Sequence, residues 1–202
     1  MDGALFGIAL FERFRKFQEK VMAQRSNRKQ YSKRMVIIHW LTLALLIVAW
    51  FLGDGVDEAR HEGSATLTAY FAHAIVGISV LFLTILRLTC RNVDGTPPPV
   101  GETLMDMVAK GIHHLLYALL FLLPASGFMT LLTSSVGMAL LTSNASLLPE
   151  KYTGPGVVPH EMHEILVTVL MVVVVVHILG AIKHQFIMKD GLMERMSLRS
   201  KD

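Results

Sequence analysis

Four long apolar stretches alternate with charged or turn-rich ones along the chain, over about residues 35–52, 67–88, 112–132 and 162–182. Each approaches or reaches the roughly 20 residues an α-helix needs to cross the hydrocarbon of a bilayer. Ahead of the first, Phe6, Leu10, Phe14, Phe17 and Val21 recur at three- or four-residue spacing, with Arg13, Arg15, Lys16, Glu19 and Lys20 between them. That pattern predicts an amphipathic helix in the membrane interface, within a basic extension over residues 1–34. Gly53–Ser64 reads as a short acidic loop and Thr133–Pro159 as a long loop rich in Ser, Gly and Pro. A turn-rich linker with Pro97–Pro99 and a short amphipathic piece from Glu102 to Lys110 join the second and third spans. Pro124 is placed to kink the third span. The expected fold is an all-α membrane protein. It is a four-transmembrane-helix up-down bundle over residues 35–184, with an N-terminal amphipathic interfacial helix and a polar tail over 185–202.

Composition agrees. Of 202 residues, 52% are hydrophobic and only 17% charged, which excludes an ordinary soluble domain. The lone Cys90 excludes an internal disulfide, a paired-Cys zinc site and a C-x-x-C-H haem attachment. Ala4–Phe11 follows Asp2 instead of a basic start and lacks a small-residue cleavage site, so no cleavable signal peptide is expected. The lipid bilayer is the implied surrounding, and nothing points to nucleic acid.

Charge sets the expected topology. All but two of the 19 Lys and Arg residues fall in the N-terminal segment, the linker between spans two and three, or the region from the end of span four onward. The exceptions are Arg60 and Lys151. The positive-inside rule then places both termini of this multi-pass membrane protein in the cytoplasm.

Nine histidines change the picture further. His163 and His177 lie inside the fourth span, where ionisable groups are costly and point to function. Fourteen residues apart, they share nearly one helix face at a rise of about 21 Å. Matched by depth, His39 on span one shares the cytoplasmic-side level with His177, and His73 on span two shares the outer level with His163. Two levels of paired imidazoles suit two bis-histidine haem b groups, and Gly77, one turn from His73, would let a flat ring approach the backbone. For any one histidine the alternative is hydrogen-bonding glue between helices. Zinc is the rival metal, but His160-Glu161-Met162-His163 has the wrong spacing for an H-E-x-x-H site. Glu161 and Glu164 fit the outer interface, and His61 and His160 read as loop residues.

Other residues extend the pattern. Arg87 and Arg91 are candidate partners for haem propionates, with positive-inside anchoring as the alternative. His113 and His114 at the mouth of span three, and His184 seven residues after His177, reach the cytoplasmic side as candidate quinone or propionate contacts. Asn144-Ala145-Ser146 matches a glycosylation sequon, a weak signal by itself and without meaning if the organism is bacterial.

Several segments together resemble the bacterial cytochrome b561 family, over about residues 31–195. They are Tyr31-Ser32-Lys33-Arg34 leading into Ile38-His39-Trp40, His73 with Gly77-Ile78-Ser79, and Arg87-Leu88 to Arg91 followed by Thr96-Pro97-Pro98. His113 with Tyr117, Leu123-Pro124 with Gly127, and His163-Glu164 with His177 complete the set. The resemblance implies a four-helix bundle with two b-type haems, His39 and His177 ligating the cytoplasmic-side iron and His73 and His163 the outer one. It also implies electron exchange between an outer-side donor and membrane quinone such as ubiquinone, in some members with superoxide as donor. Alternatives are the haem b anchor subunit of a larger dehydrogenase or respiratory complex, with a redox partner protein, and a haem-free metal-ion transporter. Two features depart from the family pattern: the long N-terminus and an acidic outer face of Asp54, Asp57, Glu58, Glu62 and Glu150. A cationic funnel would serve superoxide better.

Overall fold

The structure, a computed structural model, describes residues 8, 11–16, 30–98, 101 and 104–199. The interfacial helix expected over 1–34 falls largely outside them. Within them, residues 11–16 are helical, and Phe11 and Phe14 are exposed.

Four helices are long and apolar enough to cross a membrane, and they form the expected all-α bundle. Helix α1 spans Lys33–His61 and opens on Ser32, whose Oγ accepts from the Met35 N–H at 3.4 Å. Helix α2 spans Leu67–Asp94, capped by Thr66 and closed by Gly95 at φ 76°, a conformation that suits glycine. Helix α3 spans Leu104–Thr133, α4 spans Ser135–Thr142, and α5 spans Val157–Ile182. A π-helical turn over Lys183–Met188 continues α5. In the bundle α1 packs on α2, α2 on α3, and α3 on α5.

Several segments are more helical than their composition predicts. Gly53–Ser64 is not a loop: α1 continues to His61, supported by the i,i+3 ion pair of Asp57 with Arg60. Residues 104–110 are the first turns of α3, not a separate piece. Thr133–Pro159 is largely structured too. Ser134 caps α4 through the Val136 N–H, and Asn144 caps a 3₁₀ turn at Ala145–Leu147 through the Ser146 N–H. Serine was one of the residue types that marked this stretch as loop, yet Ser134, like Asn144, starts a helical turn there. The α3 helix runs across Pro124 without ending.

Most large apolar side chains point outward; Phe51, Phe82, Ile78 and Val172 are each about 60% exposed or more. In water such a surface would aggregate, and in lipid it carries no such cost. Among the described residues, the interior holds two apolar clusters. Met35, Ile38, Leu83 and Cys90 pack near the start of α1. Leu119, Leu170 and Val173, with Leu46, Leu123 and Leu166 against them, fill the middle.

The two ends differ in charge. At the basic end, Arg34 and Ser32 both bond Asp94, tying α1 to the end of α2. There the Tyr31 N–H donates to the Arg195 carbonyl at 3.1 Å, Trp40 Nε1 to the Met196 carbonyl at 3.3 Å, and Arg195 to the Pro98 carbonyl at 2.6 Å. At the acidic end, buried Arg60 pairs with Asp57 and donates to the Glu150 carbonyl at 3.0 Å.

Candidate functional site

Helix α5 carries the stripe His163, Leu166, Leu170, Val173, His177, which the helical repeat turns into the bundle interior. The leucine and valine members pack into the central cluster, so the two histidines lie on either side of an apolar plug. Toward the acidic end, His73 of α2 faces His163, with ring centroids 6.1 Å apart and planes at 81°. Toward the basic end, His39 of α1 faces His177, with centroids 6.4 Å apart and planes at 71°. The pairs formed by depth along the sequence are the pairs brought together in space.

The acidic-end pair is held from behind. His73 Nδ1 lies 3.1 Å from the Ala49 carbonyl oxygen, and His163 Nδ1 lies 3.1 Å from that of Leu123. A carbonyl only accepts, so each Nδ1 carries the proton and each Nε2 keeps its lone pair. That is the tautomer of a metal-binding imidazole. Two glycines make the approach possible. A Cβ at Gly53 would stand 3.0 Å from His73 Cε1, and one at Gly127 would stand 3.2 Å from His163 Cε1.

The ring separations discriminate between metals. A metal–imidazole bond of about 2 Å puts two rings bound on opposite sides of one ion at centroids about 6 Å apart. Both pairs meet that distance. Tetrahedral zinc needs further nitrogen, sulfur or oxygen donors. Among the described residues, the one group of three or more donors with ligand atoms mutually close is Asp57, His160 and Glu164, which includes no member of either pair. His113 does not complete the basic-end pair, because its ring lies 5.2 Å from that of His177, too close for opposite-side binding. Two opposed imidazoles with no further donor suit an iron whose other four positions are filled by a macrocycle. A Cβ at Gly77 would meet nothing within 4 Å, so a flat group has space beside His73.

The remaining candidates divide. Arg87 and Arg91 both lie over the ring of Tyr117, at 5.5 and 6.0 Å, and Arg87 Nε is buried without a hydrogen-bond partner. A buried guanidinium N–H with no acceptor suits a carboxylate brought by a ligand. His184 Nδ1 bonds Asp190 Oδ2 at 2.6 Å, within the turn that follows α5. Burial pushes the Asp190 carboxyl up, but hydrogen bonds from His184 and the Leu192 N–H outweigh it and hold it below the ordinary carboxylate range. His114 turns outward, with Nδ1 2.7 Å from the Lys110 carbonyl. His160 is not a loop residue: it lies in the first turns of α5, stacked on Tyr152 at 3.9 Å with Nε2 3.1 Å from Glu164. Its neighbour Asp57 is already paired with Arg60, whose charge opposes a cation there.

Gly53, Gly127, Ser126 and the carbonyls of Ala49 and Leu123 were not singled out as site residues by sequence. Backbone acceptors carry no sequence signal, and a helical glycine signals close approach without naming what approaches.

Residues 30–197 match the family described as prokaryotic cytochrome b561. The chain belongs to that family. Cytochrome b562 of Cereibacter sphaeroides is 29% identical over 170 residues, covering 82% of this chain and 94% of the relative. A probable superoxide oxidase, CybB, of Yersinia pestis is 26% identical over 175 residues, covering 83% of this chain and 96% of the relative. Cytochrome b561 homolog 1 of Escherichia coli is 26% identical, with 85% and 99% covered. As a prokaryotic cytochrome b561, the protein is a multi-pass bacterial membrane protein that binds haem b and transfers electrons.

Proposed function

We propose that the bundle holds two haem b groups and carries electrons between a donor at the acidic end and membrane quinone at the basic end. His39 and His177 ligate the basic-end iron; His73 and His163 ligate the acidic-end iron. The observation that carries the reading is the pair of opposed imidazole pairs, at 6.4 and 6.1 Å, on levels 14 residues apart along α5. The haem supplies the reversible one-electron chemistry, and the chain supplies ligation, spacing and a low-dielectric slot. Arg87 and Arg91 hold propionates on the basic side. His113 beside His177, and the His184–Asp190 pair, stand where a quinone would need protons. The basic end faces the cytoplasm, as the charge distribution supports.

The donor is the finer question. One relative is a probable superoxide oxidase. Here Arg60 is engaged by Asp57 and by the Glu150 carbonyl, within a surface that also bears Asp54, Glu58 and Glu62. Such a surface repels an anion and attracts a basic protein. This favours the second reading, a haem-bearing partner of a larger redox complex, over superoxide as substrate.

A reduced-minus-oxidised spectrum with haem quantification on the purified protein tests the core reading. Two b-type haems per chain are expected, and His163→Ala should lose only one. Absence of a b-type signal, or an unchanged haem count in that variant, would overturn it. Quinone reduction driven by superoxide, at a rate matching haem reduction, would reverse the preference for a protein donor.

A further inference from the structure

The two acidic-end histidines are held by one device used twice. His73 lies against Gly53 of α1 and bonds the carbonyl of Ala49, four residues before that glycine. His163 lies against Gly127 of α3 and bonds the carbonyl of Leu123, again four residues before the glycine. Superimposing the two registers sets Leu52 against Ser126, the residue just before each glycine. That is where the chemistry of the two holders differs. Ser126 Oγ donates to the Leu123 carbonyl at 2.8 Å and stands 3.0 Å from His163 Nδ1. Leu52 offers no polar atom.

We propose that Ser126 is a positioning residue that makes the two axial ligands of the acidic-end haem unequal, with His163 the more basic ligand and the potential of that centre held lower as a result. The inference rests on the haem reading above. The hydroxyl hydrogen of Ser126 goes to the Leu123 carbonyl, which leaves its oxygen lone pairs as acceptors. The His163 Nδ1–H therefore has two acceptors, the carbonyl and the hydroxyl oxygen. His73 Nδ1–H has the Ala49 carbonyl alone among the described contacts. Sharing a proton between two acceptors draws it further from the ring and raises the basicity of the opposite nitrogen. A more basic nitrogen stabilises the ferric charge more than the ferrous, so the reduction potential falls. Ser126 touches neither iron nor substrate; it acts through His163.

Two variants separate this electronic role from a packing role. Ser126→Ala removes the second acceptor, while the Leu123 carbonyl and the Gly127 contact still hold the ring. Ser126→Cys keeps the shape of the side chain but offers only a weak acceptor. Spectroelectrochemical titration of the full-length protein in lipid should resolve two haem waves in the wild type. Both variants should shift one wave to higher potential and leave the other in place, and Ser126→Thr should restore the wild-type wave. The electron paramagnetic resonance anisotropy of that haem, set by the 81° crossing of its ligand planes, should stay unchanged. Unshifted waves in both variants would overturn the proposal while leaving the haem reading intact. A shift in Ser126→Ala accompanied by altered anisotropy, with none in Ser126→Cys, would also overturn it, since a moved ring would then account for the change. A wild type without b-type haem would remove the reading on which the proposal stands.

Discussion

Gly53→Ala gives the sharpest test of how the acidic-end site is held. The new Cβ would stand 3.0 Å from His73 Cε1 and 3.4 Å from its Nδ1. Carbon atoms settle at about 3.5–4.0 Å, so the ring must withdraw by roughly 0.5–1 Å. The imidazole cannot do so freely, because its Nδ1 is tied to the Ala49 carbonyl at 3.1 Å on the same helix as the glycine. Withdrawal along that line takes the hydrogen bond past its useful range. Overpacking costs about 1–3 kcal/mol and the lost hydrogen bond about 1 kcal/mol more. A haem ligated by His73 should therefore bind weaker by roughly 2–4 kcal/mol, about 30- to 1,000-fold. The assay is haem retention during graded dilution or competition with apomyoglobin, read as the loss of one b-type component. A basic-end haem on the proposed ligands His39 and His177 should be retained as in the wild type. Equal retention of both haems in Gly53→Ala would refute the argument, because it would mean that the ring is not confined between glycine and ligand. Loss of both at once would refute it too, since it would show that the substitution damages the bundle instead of one level.

Other substitutions probe other parts. Leu170→Ala opens a cavity in the plug between the two levels, where the side chain is 5% exposed, and should destabilise the protein by about 2–4 kcal/mol in detergent unfolding. Arg87→Gln removes the guanidinium with its buried, unpartnered Nε and should weaken the basic-end haem alone, seen in haem titration as loss of the component that Gly53→Ala spares. Asp190 is held below its ordinary range, so its stabilising contribution is present above the unfolded carboxylate pKa and is lost as pH falls through the lower folded value. Limited proteolysis after α5 should accelerate only in that acid window, and Asp190→Asn should be cut faster at neutral pH with a flatter response to acid.

Much of this protein could be read from its sequence because the bilayer is a strict solvent. Four apolar runs and the skew of Lys and Arg led to an all-α membrane bundle without reference to any contact. The depth of each histidine along its span was also enough to pair His39 with His177 and His73 with His163, because a helix rises by a constant amount per residue. The segments between spans were harder. Gly53–Ser64 and Thr133–Pro159 look like loops by composition, yet ion pairs and side-chain caps make most of them helical. His160 looked like a loop residue for the same reason.

What the sequence determined by itself is that four helices are long and apolar enough to cross a membrane, and how far along its helix each histidine stands. These depend on transfer free energies and on helical rise, both local properties of the chain. Only the tertiary structure decided what stands behind each imidazole. The carbonyl of Ala49 meets His73, and the carbonyl of Leu123 and the hydroxyl of Ser126 meet His163, across helix pairs whose rotation about their axes no local pattern specifies. That rotation follows from how neighbouring helices pack, and Gly53 and Gly127 let two of them pack closely enough to hold the rings.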